Sequence, residues 1–248
     1  MKNKKTRAFL KWAGGKYSLT EQIHALLPDA ERLMEPFVGA GSVFLNSDFE
    51  HYYLNDINPD LIRLYKILKR KPQQYIHDAR RFFDRKNNLD TAYYALREEF
   101  NQSSDEYHRS LLFLYLNRHG YNGLCRYNRS GGFNVPFGRY VKPYFPEYEL
   151  EVFAQKAKKA TFTCMPFNHM FRRARRGTVI YCDPPYVPIN ATAMFTDYSS
   201  KGFSLDDQVE LARQAKHAAF DRGIPVLISN HDVPFTLSLI HNLRRRRT

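Results

Sequence analysis

Short apolar runs of strand length alternate along the chain with longer stretches of helical period, a pattern that predicts a sheet with crossover helices. Strands are predicted over 32–37, 52–56, 161–165, 179–183 and 225–230, and helices over 16–27, 59–69, 150–159 and 205–222. Pro59 suits the first turn of a helix, where its missing N–H costs nothing. Asp206 and Asp207 open the 205–222 stretch, where acids favour the helix dipole. The predicted fold class is α/β.

The segment 72–146 breaks this rhythm and reads as an insert. Its first half predicts helices over 73–84 and 91–101. Its second half, 107–146, holds no Asp or Glu, yet carries Arg109, Arg118, Arg126, Arg129, Arg139 and Lys142 among ten Tyr and Phe residues. The expected division is an α/β domain built from 1–71 and 147–248, with 72–146 as the insert. A formal net charge of +13 on 248 residues favours a polyanionic partner, because Lys and Arg gain affinity by displacing counterions from phosphates. An apolar fraction of 43% excludes general disorder. The longest apolar run, 111–116, is far too short to span a membrane. Cys125, Cys164 and Cys182 lack the number and spacing of a disulfide framework or a zinc site. A reducing cytoplasm and no metal are therefore expected.

Two local patterns carry chemistry. In the first, Gly39 and Gly41 follow a predicted strand and open a predicted helix, so the backbone can turn tightly and approach a ligand. Asp56 ends the next strand, where a carboxylate can accept from ribose hydroxyls. The third glycine of a dinucleotide fingerprint would fall at Phe44 and is absent, which favours an adenosine ligand without a diphosphate. In the second, Asp183-Pro184-Pro185-Tyr186 ends a buried-looking strand. The prolines stop the strand and stiffen the turn. A carboxylate and a backbone carbonyl there can accept hydrogen bonds from an aromatic amine and restore nucleophilic character to its conjugated nitrogen. Tyr186 can stack on a base drawn out of a helix.

Taken together, these residues resemble the α-group DNA amino-methyltransferases, and within them the Dam family. The resemblance covers nearly the whole chain. It runs from FLKWAGGK (9–16) through EPFVGAGSVF (35–44), LNDIN (54–58), LNRHGYNGLCRYN (116–128), FNVPFGRY (133–140) and DPPY (183–186) to PVLISNHD (225–232). It implies a Rossmann-like methyltransferase sheet that uses S-adenosylmethionine, with a mainly helical target-recognition insert. It implies methyl transfer to adenine N6 in duplex DNA, at GATC, with base flipping, by a cytoplasmic monomer of bacterial or phage origin. By position, Asp183, Pro184 and Tyr186 would act in catalysis. Trp12, Lys16, Phe37, Asp56 and Asp183 would contact the cofactor. Lys11, Tyr121, Asn122, Leu124, Arg126, Pro136, Arg139 and Tyr140 would face DNA, with Arg126 reading a guanine through O6 and N7.

The chain also departs from the family's pattern. Relatives continue past 234–243 with two further strands, whereas this sequence ends with Arg244–Arg247 and Thr248. The resemblance therefore implies a sheet without its last strands and an open edge near 225–230, a site for pairing with another chain. The alternative reading is a weak or inactive DNA-binding remnant. Methylation of protein glutamine or of RNA fits the motif chemistry less well, because position 183 is Asp and the insert is Dam-like. Val141 stands where relatives tend to carry Lys. Segments 164–165 and 168–176, including the basic run 172–176, also look unlike the family.

Overall fold

The structure, a computed structural model, describes residues 5–187 and 202–244. The Arg244–Arg247 run lies outside the described side chains. The chain separates into two compact units. One comprises Met1–His24, Gly39–Asp48 and Asn58–Cys164, and the other Ala25–Val38, Phe49–Ile57 and Met165–Thr248.

The second unit holds the parallel strands β1 (Arg32–Glu35), β2 (His51–Asn55), β4 (Thr178–Cys182) and β5 (Val226–Ile228), in the order β2-β1-β4-β5. β3 (Ala160–Thr163) falls in the first unit. Every strand overlaps its predicted run: β2 and β4 keep the predicted length shifted by one residue, while β1, β3 and β5 are shorter. Register places Glu35 beside Leu54 and Met34 beside Ile180, and pairs Cys182 with Ile228. β4, with sequence TVIYC, is buried at all five positions, as expected for a central strand covered on both faces. Helices α8 (Phe167–Arg173) and α9 (Leu205–Lys216) pack together, and Met170, Phe171, Leu211 and Ala215 join Met34, Ile180 and Cys182 in one core. Ser204 caps α9 in a capping box with Asp207. The predicted 205–222 helix ends at Lys216 and passes into a π-helical turn, His217–Asp221. A last helix, α10 (Pro234–Arg244), follows β5.

The first unit is mainly helical: α1 (Thr20–Leu26) begins within it, followed by α2 (Ser42–Asn46), α3 (Pro59–Arg70), α4 (Pro72–Arg80), α5 (Asp90–Gln102), α6 (Glu106–His119) and α7 (Glu147–Ala157). Pro59 occupies the first turn of α3, and Asn58 caps it by accepting from the Asp60 and Leu61 amides. α6 was not foreseen. Its core, from Ser110 to Asn117, is apolar on every face except for those two polar ends, and is wholly buried against α3, α4 and α5. Such a helix has no amphipathic period, so the pattern showed only an apolar run. Asp60, nearly buried, accepts from Arg63, from Arg109 through two nitrogens and from the Tyr127 hydroxyl, tying α3, α6 and the loop after α6 together.

Candidate functional site

In the second unit the candidate groups gather at the carboxyl ends of the strands, where open α/β sheets bind ligands. Glu35 is the buried last residue of β1, Asp56 follows β2 half-buried, and Asp183 follows β4 half-buried. Burial pushes the Cys182 thiol and the Tyr181 hydroxyl up, and in both cases the Asp183 and Glu35 carboxylates add to the effect. Both acids therefore project their field onto the end of β4. Glu35 was not singled out beforehand; the available signal was an acid closing an otherwise apolar strand. Among the described residues, no His, Cys, Asp and Glu side chains group so as to hold a metal ion.

The turn after β4 is braced rather than loose. Gln208 on α9 donates to the Pro185 carbonyl at 2.8 Å, and Asn230 donates to Gln208 at 2.9 Å. The Val187 amide donates to the Asn230 Oδ1 at 3.4 Å, and the Val187 carbonyl lies 2.8 Å from His231 Nδ1. The Tyr186 ring meets His231 edge to face, with centroids 4.7 Å apart. Pro184 is buried, while Pro185 is exposed. Gln208, Asn230 and His231 escaped sequence reasoning because each reaches the turn only through folding.

Beyond β1, Phe37 sits half-buried against Phe167 and Phe203, both at 5.4 Å. Asn55 donates to the Pro36 carbonyl at 3.0 Å and exchanges hydrogen bonds with both backbone groups of Met165. This buried amide fixes the exit of β1 relative to the chain entering α8, and it too was missed.

In the first unit, Gly39 and Gly41 have φ of 47° and 75°, so the loop needs the left-handed region that glycine adopts freely. A Cβ on Gly39 would lie 2.9 Å from the Trp12 indole nitrogen, which shows how closely Trp12 covers the loop. The Tyr65 hydroxyl donates to the Gly39 carbonyl at 2.6 Å. Lys16 is buried, and its ammonium donates to the Gly14 carbonyl at 2.6 Å.

The expected DNA-facing residues lie in the same unit, on loops around Gly120. The Lys11 ammonium sits 3.6 Å above the Tyr140 ring, and the Tyr140 hydroxyl accepts from the Asn122 amide at 3.0 Å. Exposed Tyr121 donates its amide to the Pro136 carbonyl, so Lys11, Tyr121, Asn122, Pro136 and Tyr140 are joined by direct contacts. Asn122 and Arg139 both have positive φ, a strain concentrated where side chains must be aimed outward. Leu124 is half-buried beside Gly123. Arg126 is exposed, and Asn134 holds it by accepting from Nε at 2.8 Å and, through its carbonyl, from Nη2 at 3.2 Å.

The family model of D12 class N6 adenine-specific DNA methyltransferases matches residues 12–246, and the chain belongs to that family. It is 62% identical over 236 residues to a DNA adenine methylase of Vibrio cholerae serotype O1, covering 95% of this chain and 85% of the relative. It is 57% identical over 233 residues to the DNA adenine methylase of Escherichia coli K12, covering 94% and 84%, and 56% identical to that of Serratia marcescens, covering 94% and 86%.

Proposed function

We propose that this chain transfers a methyl group from S-adenosylmethionine to the N6 of an adenine in duplex DNA, at GATC, on a base drawn out of the helix. The observation that carries this reading is the braced Asp183-Pro184-Pro185-Tyr186 turn at the carboxyl end of β4, beside the buried Glu35. The acids at the strand ends suit a ligand that carries a sulfonium, an ammonium and ribose hydroxyls. The glycine loop lacks the third glycine that a diphosphate favours. When bound, S-adenosylmethionine supplies an electrophilic methyl group.

The chain's own residues do the rest. Asp183 and the Pro184 carbonyl accept from the adenine amine, which directs its lone pair toward the methyl donor; as the N6–C bond forms the donor's S–C bond breaks and the thioether leaves, while the surplus N6 proton passes by way of the Asp183 carboxylate to water. The prolines and the Gln208–Asn230 brace hold those acceptors still, so little reorganisation is needed during reaction. Tyr186 offers a ring face to the extruded base, its edge contact with His231 setting the ring angle. We assign cofactor contact to Trp12, Lys16, Phe37 and Asp56, as the resemblance implies. Segment 72–146 is the target-recognition part: Tyr121 fills the gap left by the base, while Lys11, Asn122, Leu124, Pro136, Arg139 and Tyr140 contact the duplex. Asn134 takes the Nε–Nη2 side of the Arg126 guanidinium, so Nη1 and the second Nη2 hydrogen are the donors offered to guanine O6 and N7. We place the protein in the cytoplasm and read it as a monomer.

The test is methylation of a GATC duplex by the purified protein, with a GTTC duplex and Asp183→Ala protein as controls. A nuclease that cuts only methylated GATC reports the product. Cutting of the GATC duplex alone, lost in Asp183→Ala, is expected. Folded protein that binds the duplex without methylating it would instead establish the DNA-binding remnant.

A further inference from the structure

Asn117 lies near the end of α6 and is 1% exposed. Its side chain bonds to two separate segments. Oδ1 accepts from the Lys11 amide at 2.9 Å, while Nδ2 donates to the Lys11 carbonyl at 2.7 Å and to the Gly123 carbonyl at 3.1 Å. The amide thus pairs with Lys11 as a neighbouring strand would, and uses its remaining N–H to hold the 120–124 loop.

Both ends of this link lead to candidate ligand groups. On one side, Trp12 follows Lys11 and covers Gly39 so tightly that a Cβ there would meet the indole at 2.9 Å. On the other, a Cβ on Gly123 would sit 2.1 Å from the Lys11 Cβ, so loop and segment are in direct contact. The same loop presents Tyr121 and Asn122, and Asn122 is bonded to the Tyr140 ring on which the Lys11 ammonium rests. The contacts Gly39–Trp12–Lys11–Asn117–Gly123 are continuous and lie within one compact unit.

We propose that Asn117 is a positioning residue that couples cofactor occupancy at the Gly39–Trp12 end to the arrangement of the DNA-reading loop at the Gly123 end. This rests on the functional reading given above. Cofactor that settles on the glycine loop fixes Trp12, hence the Lys11 backbone, hence the loop. By reciprocity, duplex that fixes the loop tightens cofactor binding by the same factor.

The chain has a single tryptophan, Trp12, so its emission reports on the cofactor end directly. We would titrate S-adenosylhomocysteine by Trp12 emission with and without a GATC duplex, and titrate labelled duplex with and without S-adenosylhomocysteine. The wild type is expected to show one coupling factor in both directions, within the range of about 5–150-fold usual for linked sites. Asn117→Asp keeps the shape but replaces the donor with an acceptor facing two carbonyls. In that variant the factor is expected to fall to about one, while each ligand alone still binds. A folded Asn117→Asp protein with unchanged coupling overturns the proposal, as does a wild type that binds both ligands independently. Should the variant not fold, hydrogen exchange on the wild type decides. S-adenosylhomocysteine alone should slow exchange of the Lys11 amide and of the 120–124 amides, and unchanged exchange there also overturns the proposal. A wild type that binds neither S-adenosylhomocysteine nor duplex removes the functional reading itself, and the coupling with it.

Discussion

The two compact units hold their candidate side chains by opposite means. In the second, acids sit at the ends of buried parallel strands, and the turn that follows β4 is braced by Gln208, Asn230 and His231. In the first, cations, aromatics and an amide stand on loops, Asn122 and Arg139 at positive φ, held by side-chain amides and a tyrosine hydroxyl. Strand ends place an acceptor with little freedom, which suits chemistry on one atom. Loops vary readily and reach outward, which suits reading a long polyanion. Damage to either unit should therefore show a different kinetic signature.

The largest expected effect is on the scaffold of the first unit. Asp60→Ala leaves Arg63 and Arg109 facing one another with their shared carboxylate gone, and removes the anchor of Tyr127. Breaking a buried pair of this kind costs about 3–5 kcal/mol, to be read from urea unfolding midpoints. An unchanged midpoint would mean that the network is not what secures the loop after α6.

Next in size, Asp183→Ala should lower kcat about 10²–10³-fold, as loss of a preorganised transition-state partner does. Duplex affinity, measured by anisotropy, should stay near wild type. A parallel loss of binding would erase the proposed division between the units.

Arg126→Ala should do the reverse. It is expected to reduce discrimination between GATC and a duplex with the guanine replaced by about 5–150-fold, the worth of one bidentate base contact, with kcat at saturating GATC changed far less. Competition between the two duplexes measures this ratio.

The smallest effect concerns His119, buried beside Tyr115 and Phe83. Burial holds its imidazole down to about 4, against an ordinary 6.5. The unfolded chain therefore binds a proton that the folded chain refuses between those values, so stability should fall as pH drops from 6.5 toward 4. Urea midpoints compared at neutral and mildly acid pH should show the loss, and His119→Gln should reduce that slope.

Much of this was legible along the chain because the informative features are local. Strand-length apolar runs, Pro59 at a helix start, paired glycines and the two prolines after β4 each constrain the backbone by their own covalent geometry, wherever the chain goes next. Asp56, Asp183 and Tyr186 stand out as candidates for the same reason. α6 could not, since a helix buried on all sides carries no period. Nor could Glu35, Asn55, Asn117, Gln208 and Asn230 be recognised as partners. Asn55 meets Met165, and Asn117 meets Lys11, across more than a hundred residues of chain. A lone amide has no pattern, and its role exists only once folding has removed water from around it and left a particular carbonyl within reach. The pattern of residues therefore settled the α/β class of fold and the succession of its strands along the chain. Tertiary structure alone decided which buried amides hold the turn after β4 and the loops around Gly120 in place, because burial and long-range pairing are properties of the folded chain.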